Sequence, residues 1–228
     1  MGMFKGLAGA KVTQGRLPDP SEGIADYLVE SLRLRVGETG DKRYEIRLVS
    51  VAPTTTNGTT TGTRCQYCEF PARSVKAEAY AAAAMKRLLL TLADVKPEEE
   101  EDVVEMMCPK ASPEFKDMDE DERVEKAWDT ILMQAFCIGE DGKPSEGPGI
   151  FDGQVVLRLE TVLQEERGDT VYTKNKETGL MEAVPKRIFT RHYPKCLVPV
   201  EEAAKGLSEQ QIKQVFGSLE KYAELSAA

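Results

Sequence analysis

The chain of 228 residues holds one histidine, His192, and one tryptophan, Trp128. A single histidine excludes catalytic and metal sites that need two. There is no P-loop, no G-x-S-x-G and no clear acid/base dyad, so no enzyme is expected. No apolar run approaches the roughly 18 residues of a membrane-spanning helix, so no membrane partner is expected. Met1 to Gly6 lacks a long apolar stretch, so a secretory leader is not expected and the expected compartment is the cytoplasm. Five cysteines, an odd number, then suit free thiols in a reducing compartment.

Basic charge is outnumbered: 30 Lys and Arg stand against 39 Asp and Glu, a net charge of −9. That balance argues against nucleic acid until it is divided along the chain. Residues 98–125 hold thirteen acidic and three basic side chains, a local charge of −10. The other 200 residues hold 27 basic and 26 acidic side chains, a charge of +1. The acidity is therefore one insert in a near-neutral body. Such a run is either a solvated face or a docking surface for a basic partner.

Cys65 and Cys68 form a C-x-x-C, and His192 and Cys196 an H-x-x-x-C, which together number four ligands for zinc. The flanking residues read as a strand, where positions three apart point to opposite faces. No glycine bends the chain near Cys68. Free thiols are the expectation, with no metal and no other cofactor. The C-x-x-C does not open a helix, which also speaks against a thioredoxin role.

Residues 1–22, rich in Gly, Pro and Lys, read as an arm. Tyr27 to Val36 and Arg43 to Val51 read as two strands, because apolar and charged positions alternate in each. Gly37 to Asp41 is the turn between them. Thr54 to Thr63 is a polar low-complexity loop, and Thr63 to Phe70 is a third strand. Ala77 to Leu92 has helix composition. Pro97 starts the acidic insert, whose second helix runs from about Asp121 to Cys137 with Trp128 on its apolar stripe. Gly139 to Gly149 reads as a flexible linker. Strands resume at Asp152 and continue through Val171 to Thr173 and Lys186 to Tyr193, with Pro194 and Pro199 ending them. Leu207 to Leu225 reads as one terminal helix capped by Ser208.

The predicted class is α+β, mainly β. It is a five-stranded OB-fold barrel with a helix after the third strand. Residues 23–198 form that domain, interrupted by an acidic helical insert and linker at 96–149. Residues 199–228 add a C-terminal helix.

The stretch Lys186 to Tyr193 places Arg187, Phe189, Arg191 and Tyr193 on one strand face. Alternating cations and rings suit single-stranded nucleic acid, where rings stack on bases and cations follow phosphates. Arg33 and Arg35 lie on the polar face of the first strand, with Tyr27 in phase. Arg47 lies on the second strand, and either Arg64 or Tyr67 on the third, according to which face is buried. Lys174 and Lys176 sit at a hairpin tip. The competing reading makes Phe189 and Tyr193 core and the arginines a solubilised edge.

The three N-terminal strands, the segment Gly62-Thr-Arg-Cys-Gln-Tyr-Cys-Glu-Phe70, an Ala/Leu helix, Phe151-Asp-Gly-Gln-Val-Val-Leu157 and Arg191-His-Tyr-Pro194 complete a pattern. It resembles the OB-fold single-stranded DNA-binding proteins of bacteriophages, over residues 23–95 and 150–198. The resemblance implies a non-catalytic protein of phage DNA replication and recombination, in the host cytoplasm, that coats single strands without base specificity. In that family an acidic C-terminal tail often recruits replication proteins. Here Glu220 to Ala228 is an ordinary helix end, and the acidic charge sits in the internal insert. Replication or recombination proteins are thus expected at the insert, if anywhere, and self-association stays open. The alternative is a non-catalytic adaptor or virion component that docks through the insert.

Overall fold

The structure is a computed structural model that describes residues 17–38, 40–51, 60–69, 75–165, 171–174, 181–184 and 188–227. For 75–80, 163–165, 171–174, 181–184 and 188–189 it describes the backbone alone. The class is α+β. Strands β1 (Gly23–Val36), β2 (Lys42–Ser50) and β3 (Arg64–Glu69) are followed by helix α1 (Val75–Leu92). A 3-10 turn (Pro97–Glu99) leads into α2 (Glu100–Met107) and then α3 (Glu120–Ala135). Strands β4 (Val156–Glu165), β5 (Val171–Lys174), β6 (Met181–Val184) and β7 (Ile188–Val198) come next. Short helices α4 (Val200–Ala203), α5 (Glu209–Phe216) and α6 (Leu219–Ser226) follow.

Five strands form one antiparallel sheet in the order β3-β2-β1-β4-β7, and β5 and β6 form a separate hairpin. Among the described residues no ladder joins β3 to β7, so the sheet is open. Strand β1 lies between β2 and β4. Its ladder with β2 skips a residue at Glu30, between Val29↔Leu48 and Ser31↔Arg47. A bulge of this kind inverts the alternation beyond it. Tyr27 and Val29 therefore share the buried face with Leu32 and Leu34, and Tyr27 is fully buried. The expectation that Tyr27 lies in phase with Arg33 and Arg35 is corrected by that one residue.

Helices cover both faces of the sheet. On one face Tyr27, Leu32, Ile46, Leu48, Leu157 and Leu159 pack against Leu88, Leu89 and Leu92 of α1 and Val103, Ile131 and Phe136 of the insert. On the other face Leu28, Val49, Val51, Val156 and Val198 pack against Val200, Ala203, Val215 and Phe216. Leu28 and Val156 are out of phase with Tyr27 and Leu157, as a pleated strand covered on both sides requires.

Three expected boundaries change. Pro194 lies inside β7 and does not end it: it faces Leu159 where the β4–β7 register shifts, and a bulge tolerates a residue without an N–H. Residues 138–144 close a tight hairpin, with a bridge Ile138↔Pro144 and Gly142 N–H donating to the Gly139 carbonyl at 2.8 Å, and are not a simple linker. The terminal helix is two helices. Gly217 at φ 89° ends α5, and the Ser218 hydroxyl accepts from the Lys221 N–H to start α6.

Helices α2 and α3 form an acidic hairpin with its own small cluster of Val104, Cys108 and Ala127. Buried Arg123 ties it together, donating to Glu105 at 2.6 Å, Glu120 at 2.7 Å and the Cys108 carbonyl at 2.8 Å. No described helix is long and apolar enough to cross a membrane.

Candidate nucleic-acid interface

The sheet-face arginines expected to meet a ligand are spoken for. Arg33 pairs with Asp152 at 2.6 Å and also donates to the carbonyls of Leu32 and Gly147. Asp152 in turn accepts from the Leu32 and Gly149 N–H groups, so Arg33 is part of a loop clamp. Arg35 and Arg47 both donate to one Glu45 oxygen, at 3.2 and 2.9 Å, and Glu45 is buried at 4% exposure. Arg64, mostly exposed, donates to Glu30 at 2.6 Å. On β3 the buried face carries Tyr67, at 2% exposure, which leaves Arg64 outward. Each of these arginines has an internal carboxylate partner, but pairing alone does not set this face apart, since Lys86, Lys96 and Lys195 elsewhere pair with Glu100, Glu99 and Glu160.

A different place brings cations and rings together. The sheet's two end strands approach each other under α1, and the rings of Tyr67 and His192 lie 4.3 Å apart at 32°. A groove of about 550 Å³ opens there, lined by Asp19, by Tyr67 to Glu69 of β3, by Ala81, Ala83, Ala84 and Arg87 of α1 and by Thr190 to Pro194 of β7. A second groove of about 690 Å³ continues between α1 and β7, lined by Lys86, Arg87, Lys96, Glu100 and Lys195 among others. The two share Ala83, Arg87 and Pro194. The Tyr193 ring stands at the junction, with Arg87 and Lys195 each 5.9 Å from its centroid. Those distances place both cations in the range of cation–π attraction.

Of the residues expected at a binding face, Arg191 and Tyr193 line this groove, and Tyr67 contributes its ring from the core side. Arg33, Arg35, Arg47 and Arg64 do not line it. Lys176 and Arg187 lie outside the described residues, as do the side chains of Lys174 and Phe189. Four cations were not anticipated: Lys86 and Arg87 on α1, Lys96 after it, and Lys195 next to Pro194. The signal is a Lys-Arg pair, Lys86-Arg87, inside an otherwise Ala/Leu helix whose broad apolar spacing does not mark one exposed side.

The groove also holds carboxylates. Burial pushes the Glu69 carboxyl up, and Arg191 beside it pulls the other way. Burial likewise pushes Glu100 up, but the bonds it accepts from Lys86 and Trp128 outweigh this and hold it below the usual carboxylate range.

No known protein-family model matches the chain, and no curated protein matches it.

The four residues weighed as zinc ligands do not converge. Among the described residues no three His, Cys, Asp or Glu side chains are grouped to hold a metal. Cys65 is buried in the core, Cys68 borders the groove, Cys196 is exposed, and the His192 Nδ1 lies 3.2 Å from the Thr161 hydroxyl. Burial pushes the Cys65 thiol up to about 12, with Asp19 and Glu30 adding to it. Burial pushes the Tyr27 phenol up to about 12 as well, with Cys65 adding.

The sign of the pH dependence follows. The folded chain keeps these two protons where the unfolded chain, with ordinary values of 9.0 and 10.0, gives them up. Stability therefore falls as pH rises from about 9 towards 12. Urea midpoints at pH 7, 9 and 10.5 are expected to decline in that order, and equal midpoints would contradict the burial argument. At pH 8 a thiol reagent is expected to label Cys196 at once and Cys65 only on unfolding.

Proposed function

We propose that the chain is a non-catalytic single-stranded DNA-binding protein of phage DNA replication or recombination. The groove between α1 and β7 carries the strand. The observation behind this reading is Tyr193, half-buried in the groove and flanked by Arg87 and Lys195, with Arg191 two residues away on the same strand face. A ring stacks on a base of any identity, and the surrounding cations suit phosphates on either side of it. The sheet order supports the finer fold proposal. With β1 between β2 and β4 and a helix after β3, an OB-fold barrel needs one more ladder, between β3 and β7. The Tyr67–His192 contact already brings those two strands together.

Fluorescence anisotropy with labelled oligo-dT and with duplex DNA across a salt series tests the reading. The single strand is expected to bind and to weaken as salt rises, with a log–log slope of about −0.7 per phosphate contacted. Equal affinity for duplex, or none for oligo-dT at low salt, would overturn it.

The second reading, an adaptor, rests on the α2–α3 hairpin, which turns an acidic surface outward from its own small core. It predicts stable association with a basic protein and no oligonucleotide affinity.

A further inference from the structure

The acidic insert begins inside the groove, and its first helical residue makes a three-way contact there. One Glu100 oxygen accepts from the Trp128 indole N–H at 2.9 Å and pairs with the Lys86 ammonium. The same ammonium lies 5.4 Å from the centroid of the Trp128 ring. Lys86 and Glu100 both line the groove that continues to Lys96 and Lys195. Lys86 projects from α1, Glu100 opens α2 and Trp128 lies on α3, so the contact joins the groove wall to both helices of the insert.

We propose that Glu100 is a built-in competitor for the phosphate of a bound single strand, and that Lys86 is the cation they contest. The inference rests on the DNA-binding reading of this groove. In the free protein the carboxylate holds Lys86 against Trp128. A phosphodiester entering between α1 and β7 takes over Lys86, and Glu100 gives up its ion pair. The chain's one tryptophan thereby reports the exchange, since the cation over its ring and the acceptor at its indole both change. The charge of the insert is in this way coupled to the groove through one side chain.

The Glu100→Gln variant removes the charge and keeps an oxygen for the indole N–H. It is expected to bind oligo-dT roughly three- to fivefold more tightly than the wild type at low salt, the scale of one partly exposed ion pair. Glu101→Gln makes the same charge change at an exposed position that does not line the groove, and is expected to change affinity less than about 1.5-fold, within the spread of exposed charges. In a Lys86→Gln background the Glu100→Gln gain is expected to vanish. Trp128 emission of the wild type is expected to change along the same titration curve as the anisotropy.

Equal gains from Glu100→Gln and Glu101→Gln, or a gain that survives without Lys86, would overturn the competitor while leaving the groove reading intact. No binding by either the wild type or Glu100→Gln would overturn both. Thermal melts of each variant check that the fold is retained, and an unchanged melting point with the expected gain supports the competitor.

Discussion

Arg191→Ala combined with Tyr193→Ala is expected to weaken oligo-dT binding by roughly 30- to 100-fold. A stacked base contributes about 1–3 kcal/mol, a phosphate contact adds a fraction of that, and about 1.4 kcal/mol is tenfold. Tyr193 stands between Arg87 and Lys195, so losing the ring also removes a cation–π neighbour of both, while Lys195 keeps its ion pair with Glu160. Tyr193→Phe keeps the stacking face and should retain most of the affinity. Arg35→Ala combined with Arg47→Ala is the informative contrast. Both arginines already donate to Glu45, and their loss is expected to change binding less than about threefold. If the sheet-face pair costs more than the groove pair, the interface lies on the outer sheet and not under α1. Circular dichroism and melting curves separate lost binding from lost fold, since Tyr193 is half-buried.

Phe136→Ala is expected to cost about 3–5 kcal/mol, the range for deleting a buried aromatic ring. Phe136 is fully buried at the end of α3, its ring edge-on to Tyr44 with centroids 5.0 Å apart. Its carbonyl accepts from the Leu34 N–H at 3.2 Å, and its own N–H donates to the Leu132 carbonyl at 3.0 Å. One residue thus joins the C-terminal end of the insert to β1 and β2. For a chain of this size the expected fall in melting temperature is roughly 6–20 °C. Urea denaturation followed by tryptophan emission measures the free energy directly, because Trp128 sits on the same helix. A loss under about 1 kcal/mol would mean that the insert is an appendage whose packing contributes little to the body.

The sequence carried the strands more clearly than the site. Alternation placed β1, β2 and β3 within a few residues, because Leu32, Leu34, Ile46 and Leu48 meet a core and their neighbours do not. What alternation cannot reveal is a skipped residue in a ladder, since a bulge depends on the partner strand. Glu30 looks ordinary in sequence, yet it decides that Tyr27 is core. Pro194 misled for a related reason: its place in β7 depends on the register shift opposite Arg158 and Leu159. Gly217-Ser218 was readable as a helix stop followed by a cap, but the apolar stripe running through it suggested one continuous helix.

The candidate site was half legible. Arg191 and Tyr193 stood out because cations and rings alternate along their strand. Lys86, Arg87 and Lys195 did not, because only tertiary packing sets α1 against β7. The arginines of the first three strands look unpaired in sequence, since their carboxylate partners Asp152, Glu45 and Glu30 are identifiable only once strand register and loop path are known.

The C-terminal helices looked like an addition to a finished domain, and the packing makes them a lid on an unfinished one. Val200, Ala203, Val215 and Phe216 cover Leu28, Val49, Val51, Val156 and Val198. A fragment trimmed at Val198 would present those five side chains as one contiguous sticky patch, and patches of that kind drive precipitation. Expression boundaries for this protein therefore belong beyond α6. Removing the tail to ask what it recruits would measure insolubility instead.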